Sequence, residues 1–390
     1  MTDRMASLAG AYAGVLRMES RGFVASAAAA ASPPLRAAAT PTPMPMPTPS
    51  PVSGAAVRAD EQQRLADRFA ALLPGPRAWR SAFFGSGAQA MEAALRIARA
   101  HSGRPAIIKL SSGCLPGATP AWTEFGRPAG PVWRLPAPTP LHGDTAEHTL
   151  ARLDELLAGP LRPERVAALV IEPLQADGSV QQLDGELLAA LRQRCDWHHI
   201  QLVADETRCG LARTGRMMAM DHHPVQADLV VHAQGPDAPL PLAVVTGRAE
   251  VMQAAPDEGP WPEGPALQAR ALAVQEQHAV LDLIASQGLC DRADELGRQL
   301  AGVLMRAMAW QPRLADIRGL GSVLAVECLE GSLPDPSFAR RVQARAAQRG
   351  LQLPVSGEAA NVLRFPYPLA IDDSAFAALC VSVELALRGP

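Results

Sequence analysis

A chain of 390 residues that is 48% apolar and 19% charged holds enough apolar material for one large core and a smaller second one. Its formal net charge of −3 and its 4% aromatic content exclude the basic footprint and stacking platforms of a nucleic-acid binder. No stretch is long and apolar enough to cross a membrane, and the six cysteines are dispersed without a CxxC pair, which reads as reduced thiols in a cytoplasmic protein.

Residues 1–56 form an N-terminal low-complexity segment rich in Ala and Pro, including PTPMPMPTPSP. Proline at alternate positions removes backbone donors and fixes φ, so this part is expected to be largely extended or disordered. The first two dozen residues have the pattern of a short amphipathic helix. From residue 57 the pattern alternates. Helical periodicity covers 60–73, 88–100, 145–157, 185–198 and 268–286, and apolar strand-like runs cover 106–110, 166–171, 201–204, 229–232 and 242–246. Apolar runs alternating with amphipathic helices predict βαβ units and a mostly parallel sheet. The remainder, with strands at 322–327 and 362–365 and helices at 337–349 and 373–387, predicts a smaller α+β unit. The expected division is a large α/β domain over 57–286 and a small C-terminal domain over 287–390.

Several positions carry chemical potential. Ser86-Gly87-Ala88 opens a helix, with Ser86 as its cap and Gln89 three residues on completing a capping box. Small residues there allow a phosphate to reach the free N–H groups, although a plain capped helix has the same look. Asp205 ends a strand, where it serves either as a local cap or as a buried functional carboxylate. One count stands out: Lys109 is the only lysine in the chain.

The stretches FFGSGAQAMEAALRIAR, GRPAIIKLSSGCLPGAT, VAALVIEPLQADGSV and LRQRCDWHHIQLVADETRCGLARTGRMMAMDHHPVQADLVVHAQG, followed by RGLGSVLAVE and NVLRFPYPLAI, resemble the class III (ornithine- and GABA-type) aminotransferases. The similarity runs from about residue 60 to the C-terminus. It implies a fold-type-I pyridoxal-phosphate-enzyme architecture, α/β, with a central mostly parallel sheet and a smaller C-terminal α+β domain. It implies pyridoxal 5'-phosphate at the C-terminal end of the sheet, transfer of an amino group between an amine or amino acid and a carbonyl, and a homodimer with sites at the subunit interface. In this resemblance Ser86, Gly87 and Ala88 match the phosphate-binding turn. Asp205 matches the aspartate that pairs with the pyridine nitrogen. Glu172 and Arg364 match a Glu/Arg pair whose arginine receives a substrate carboxylate, or else form an inter-domain salt bridge.

The departures from the family pattern fall on the chemistry. Gln234 occupies the position of the Schiff-base lysine, with ungapped similarity on both sides. Cys114 replaces the aromatic that stacks on the ring, and Leu115-Pro116 replaces the His-Gly after it. Thr207 replaces the apolar residue on the other ring face, and Arg208 the glutamine near the phenolic oxygen. Ala266 and Arg270-Ala271 replace phosphate-region residues of the neighbouring subunit. An amide is neither nucleophile nor base, so the expectation is a degenerate, weakly active or inactive member that binds the cofactor weakly, noncovalently or not at all. The alternatives are a noncatalytic partner, as a heterodimer with an active paralogue, and an enzyme with noncovalent cofactor that uses His232, two residues before Gln234, as base. Without cofactor, Asp205 would be an unpaired carboxylate, and Arg208 is the expected neutralising partner; the other role open to Arg208 is binding of the cofactor's phenolate or another anion.

Overall fold

The computed structural model describes residues 59–75, 78–111, 117–119, 123–124, 127–128, 130–175, 178–233, 240–254 and 265–388, with 59, 117–128 and 265–270 described for the backbone alone. The N-terminal helix expected from the sequence, the low-complexity segment, Cys114 and Gln234 lie outside the described residues. In chain order the first part comprises α1 (Ala59–Ala71), β1 (Trp79–Phe84), α2 (Gly87–Ser102), β2 (Ala106–Ser111), β3 (Gly117–Thr119), β4 (Thr123–Glu124), β5 (Arg127–Pro128), β6 (Val132–Pro136), α3 (Ala146–Ala158), β7 (Val166–Ile171), β8 (Leu174–Gln175), β9 (Gln181–Gln182), α4 (Gly185–His198), β10 (Gln201–Asp205), β11 (Leu229–Ala233), β12 (Ala243–Arg248), α5 (Ala249–Met252), α6 (Pro265–Ser286) and α7 (Leu289–Met308). There follow β13 (Leu314–Leu320), β14 (Val323–Glu330), β15 (Leu333–Pro334), α8 (Pro336–Ala347), β16 (Val355–Ser356), β17 (Val362–Arg364) and α9 (Asp373–Arg388).

The main sheet has the order β1-β12-β11-β10-β7-β2-β6-β3. Its centre, β11 through β6, is parallel, while β12 and β3 run against their neighbours. All six residues of β7 are buried, as a strand covered by helices on both faces requires. Ile108, Leu110, Leu169, Leu202 and Val230 point to the side packed by α3 and α4, and Ile107, Val170, Val203 and Val231 to the side packed by α2. α2 is bounded at one end by the Ser86 cap and at the other by Gly103 in the left-handed region at φ 68°. A second sheet, β13-β14-β17-β16, is packed by α7, α8 and α9 around its own core of Leu296, Leu300, Val326, Leu363 and Phe376. Among the described residues no helix is long and apolar enough to cross a membrane.

Among the elements of five residues or more, β1, β6, α7 and β13 escape the sequence reading, as do the short β3, β4, β5, β8, β9, α5, β15 and β16. Arg80 and Ser81 interrupt the apolar pattern of β1, which needs little of it because it lies at the sheet edge with only Phe83 fully buried. β13 is mostly half-exposed, so alternation is weak there. α7 has a sharp apolar stripe through Ala293, Leu296, Leu300 and Leu304 that periodicity alone should have found.

Candidate functional site

Strand polarity places the candidate residues together. Ser86 and Gly87 follow β1, Glu172 follows β7, and Asp205 ends β10. These are the C-terminal ends of strands running in one direction, where doubly wound sheets gather ligands. Gln234 is the next residue in the chain after Ala233, the last of β11. Arg364 ends β17 in the second sheet, and its N–H donates to the Pro354 carbonyl at 2.9 Å.

The first turn of α2 is built as the capping pattern requires. The Gln89 N–H donates to Ser86 Oγ at 3.2 Å, and the Gly85 N–H donates to Gln89 Oε1 at 3.0 Å. That leaves the N–H groups of Gly87 and Ala88 as uncommitted donors among the described residues, at the positive end of the helix dipole. Gly87 has no side chain for a reason visible in its surroundings. A Cβ there would lie 3.2 Å from both Thr207 Cγ2 and Ala233 Cβ, tighter than most packing contacts. The turn is therefore pressed against the ends of β10 and β11.

Asp205 is half-buried. Its Oδ1 accepts from the Thr207 hydroxyl at 2.7 Å and from the Thr207 N–H at 3.1 Å. This corrects the expected pairing with Arg208, whose side chain is exposed. An Asp at the start of a turn meets the N–H two residues on, while the side chain at the third position points away. The Asp-x-Thr spacing was the available signal, and it was read only as loss of an apolar residue.

Glu172 is buried, and Lys109 Nζ lies 3.4 Å from its Oε1. The one lysine thus stands on β2, three strands from β11 in the sheet order, or about 14 Å at ordinary strand spacing. That separation puts it out of reach of the C-terminal end of β11.

His232 lies 1% exposed, stacked on Phe69 of α1 with ring centroids 5.8 Å apart. Neither ring nitrogen has a hydrogen-bond partner among the described residues, and burial pushes its pKa down to about 4. It is a neutral core residue on the α1 side, which removes the support for its role as base. Beside it Glu206 is likewise buried; burial lifts its carboxyl to about 7, against the lowering effect of the Met220 and Ala219 N–H groups it accepts from. Ala266 and Arg270 fall within α6.

The free N–H groups of the Ser86–Ala88 turn and the carboxylate of Asp205 have the chemistry to meet the two ends of pyridoxal phosphate, an anion and a protonated ring nitrogen. Among the described residues the one side-chain amine is that of Lys109, three strands from β11.

The model of the family described as "Aminotransferase class-III" matches residues 45–387. The chain is 34% identical over 316 residues to 4-aminobutyrate aminotransferase GabT of Escherichia coli, covering 77% of this chain and 73% of that one. It is 32% identical over 322 residues to 5-aminovalerate aminotransferase DavT of Pseudomonas putida, covering 80% and 75%. Among solved structures, a transaminase from the marine bacterium Virgibacillus superposes with TM-score 0.72 at 22% identity over 84% of this chain and 79% of that one. A pyridoxal-phosphate-bound amine transaminase from an uncultivated Pseudomonas species gives 0.71 at 24% over 87% and 82%. These structures share the fold.

Proposed function

The chain belongs to the class III aminotransferases, a family dependent on pyridoxal phosphate, and from that premise we propose that it is a weakly active or inactive member that holds pyridoxal or pyridoxamine phosphate without a covalent bond. One observation carries this reading. The phosphate turn and Asp205 stand side by side at the C-terminal edge of the sheet, while Lys109, the only lysine, sits three strands from β11 beside Glu172.

When bound, pyridoxal phosphate supplies an electron-withdrawing ring that takes up the electrons released at the substrate carbon. The Gly87 and Ala88 N–H groups bind the phosphate with the α2 dipole behind them. Asp205 keeps the proton on the ring nitrogen. Gln234 can neither attach the cofactor nor carry a proton between carbon atoms, and loss of a general base alone costs about 10²–10⁴ in rate. Arg364 is assigned to a substrate carboxylate, and Glu172 is paired with Lys109. The substrate class inferred is an amine and a keto acid, of the kind named by the 4-aminobutyrate and 5-aminovalerate relatives.

The test is a titration of wild type and Gln234→Lys with pyridoxal phosphate, followed by borohydride reduction and peptide mapping. Wild type should bind without a reducible adduct, and the variant should carry one at position 234. An adduct on wild type has only Lys109 and the chain's amino terminus to occupy. An adduct at Lys109, or brisk amine transfer by wild type, overturns the reading. We further infer a homodimer in the cytoplasm, which light scattering should register as twice 41.1 kDa. Co-purification with an active aminotransferase would instead assign the noncatalytic partner role.

A further inference from the structure

Thr207 stands where the family pattern has an apolar residue, and its side chain has two engagements. Its hydroxyl donates to Asp205 Oδ1 at 2.7 Å, beside its own N–H at 3.1 Å. Its methyl group faces Gly87, where a Cβ would come within 3.2 Å of it. Both hydrogen bonds fall on one oxygen of Asp205. The other, Oδ2, has no donor among the described residues. A valine would reproduce the contact with Gly87 but leave the carboxylate held by the backbone N–H alone. Exposed Arg208 does not restrain it.

A ligand held without a covalent tether depends on contacts that are already in place before it arrives. We propose, resting on the cofactor reading above, that Thr207 is a positioning residue: it presents Asp205 Oδ2 to the ring-nitrogen proton of a pyridoxal-type ligand. It also sets the spacing between that carboxylate and the phosphate turn.

The experiment is calorimetric titration of the full chain with pyridoxamine 5'-phosphate and with its 1-deaza counterpart, which lacks the ring nitrogen. Wild type, Thr207→Val, Thr207→Ala and Thr207→Ser are compared. Wild type should prefer the nitrogen-bearing ligand by about tenfold or more, the worth of one hydrogen bond to a charged group. Thr207→Val and Thr207→Ala should lose most of that preference while binding the deaza ligand nearly as wild type does. Thr207→Ser, which keeps the hydroxyl, should retain it. Equal weakening of both ligands in Thr207→Val and Thr207→Ala would mean a merely structural role, and an unchanged preference would mean none; either overturns the proposal. If wild type binds neither ligand, the cofactor reading falls and the positioning role falls with it. A thermal-stability double-mutant cycle of Thr207→Val with Asp205→Asn then separates the cases, since coupling there shows that the bond exists without a ligand to serve.

Discussion

Glu206 shows how much one buried carboxyl can do to stability. It is 1% exposed, and burial raises its pKa to about 7, with only two backbone N–H groups to offset the desolvation. A folded-state pKa above the unfolded one gives stability that is full below the ordinary glutamate range. That stability is lost as pH rises through about 7. The contribution is on the order of 3 kcal/mol. Wild type should therefore melt at progressively lower temperature between pH 5 and pH 8, and Glu206→Gln should flatten that slope even though its amide makes the protein less stable at low pH. A parallel slope in the two proteins would assign the pH dependence elsewhere. The neighbouring Asp205 was legible as a strand-end carboxylate from the ADE run, because a short apolar strand followed by a polar turn is a local pattern. Its partner was not. Arg208 and Thr207 are both close in sequence, and only the turn geometry decides which one faces inward.

At the scale of an element, α2 and α7 make opposite demands. α2 was readable from both ends, since Ser86 and Gly103 are local signals and its Ala-rich repeat is helix-forming. The apolar stripe of α7 is a local signal too, but the seating of the helix depends on a contact with no local signature. Gly297 packs against the turn between β13 and β14, where a Cβ would meet the Gly321 carbonyl oxygen at 1.9 Å. Ordinary helix propensity favours alanine over glycine by about 1 kcal/mol. The clash outweighs that, because backbone on both sides must move. Gly297→Ala should destabilise by about 1–3 kcal/mol in urea denaturation, with the reverse sign from a solvent-facing glycine. A stabilised variant would place α7 further from the turn than described.

For the whole molecule, the decisive contact is the one that ties the two sheets together. Glu327 on β14 is buried, and its oxygens receive Arg318 Nη1 at 2.8 Å, His142 Nε2 at 2.8 Å and Asn361 Nδ2 at 3.2 Å. His142 follows β6 of the main sheet, and Arg318 also donates to the Ser179 carbonyl at 2.6 Å. Burial by itself would raise the Glu327 pKa; Arg318, His142 and Asn361 together outweigh it and hold the carboxyl below its usual range. A depressed folded-state pKa gives stability that is present above the ordinary carboxylate range and is lost as pH falls through the folded value. Glu327→Gln should cost about 1–3 kcal/mol at neutral pH, because Arg318 then keeps only Asp316, half-exposed and 2.8 Å away, as its charge partner. The variant should also lose part of the acid sensitivity of wild type. Hydrogen exchange should show faster opening of β14 and of the segment around His142. An unchanged exchange pattern would mean the sheets are held by apolar packing alone.

The residues that alternate every second or every third to fourth position determined, without further help, most of the long helices and strands and the sheet's mostly parallel character, while the family resemblance pointed to the end of the sheet where Ser86, Glu172 and Asp205 stand. That information is local, because backbone periodicity and turn chemistry act over a few residues. Tertiary structure alone decided that Lys109 meets Glu172, that His232 lies under Phe69, and that Thr207 joins Asp205 to Gly87. Those pairings, except Thr207 with Asp205, join segments far apart in the chain, and side-chain direction at a strand end is set by what packs against it. No local pattern specifies either.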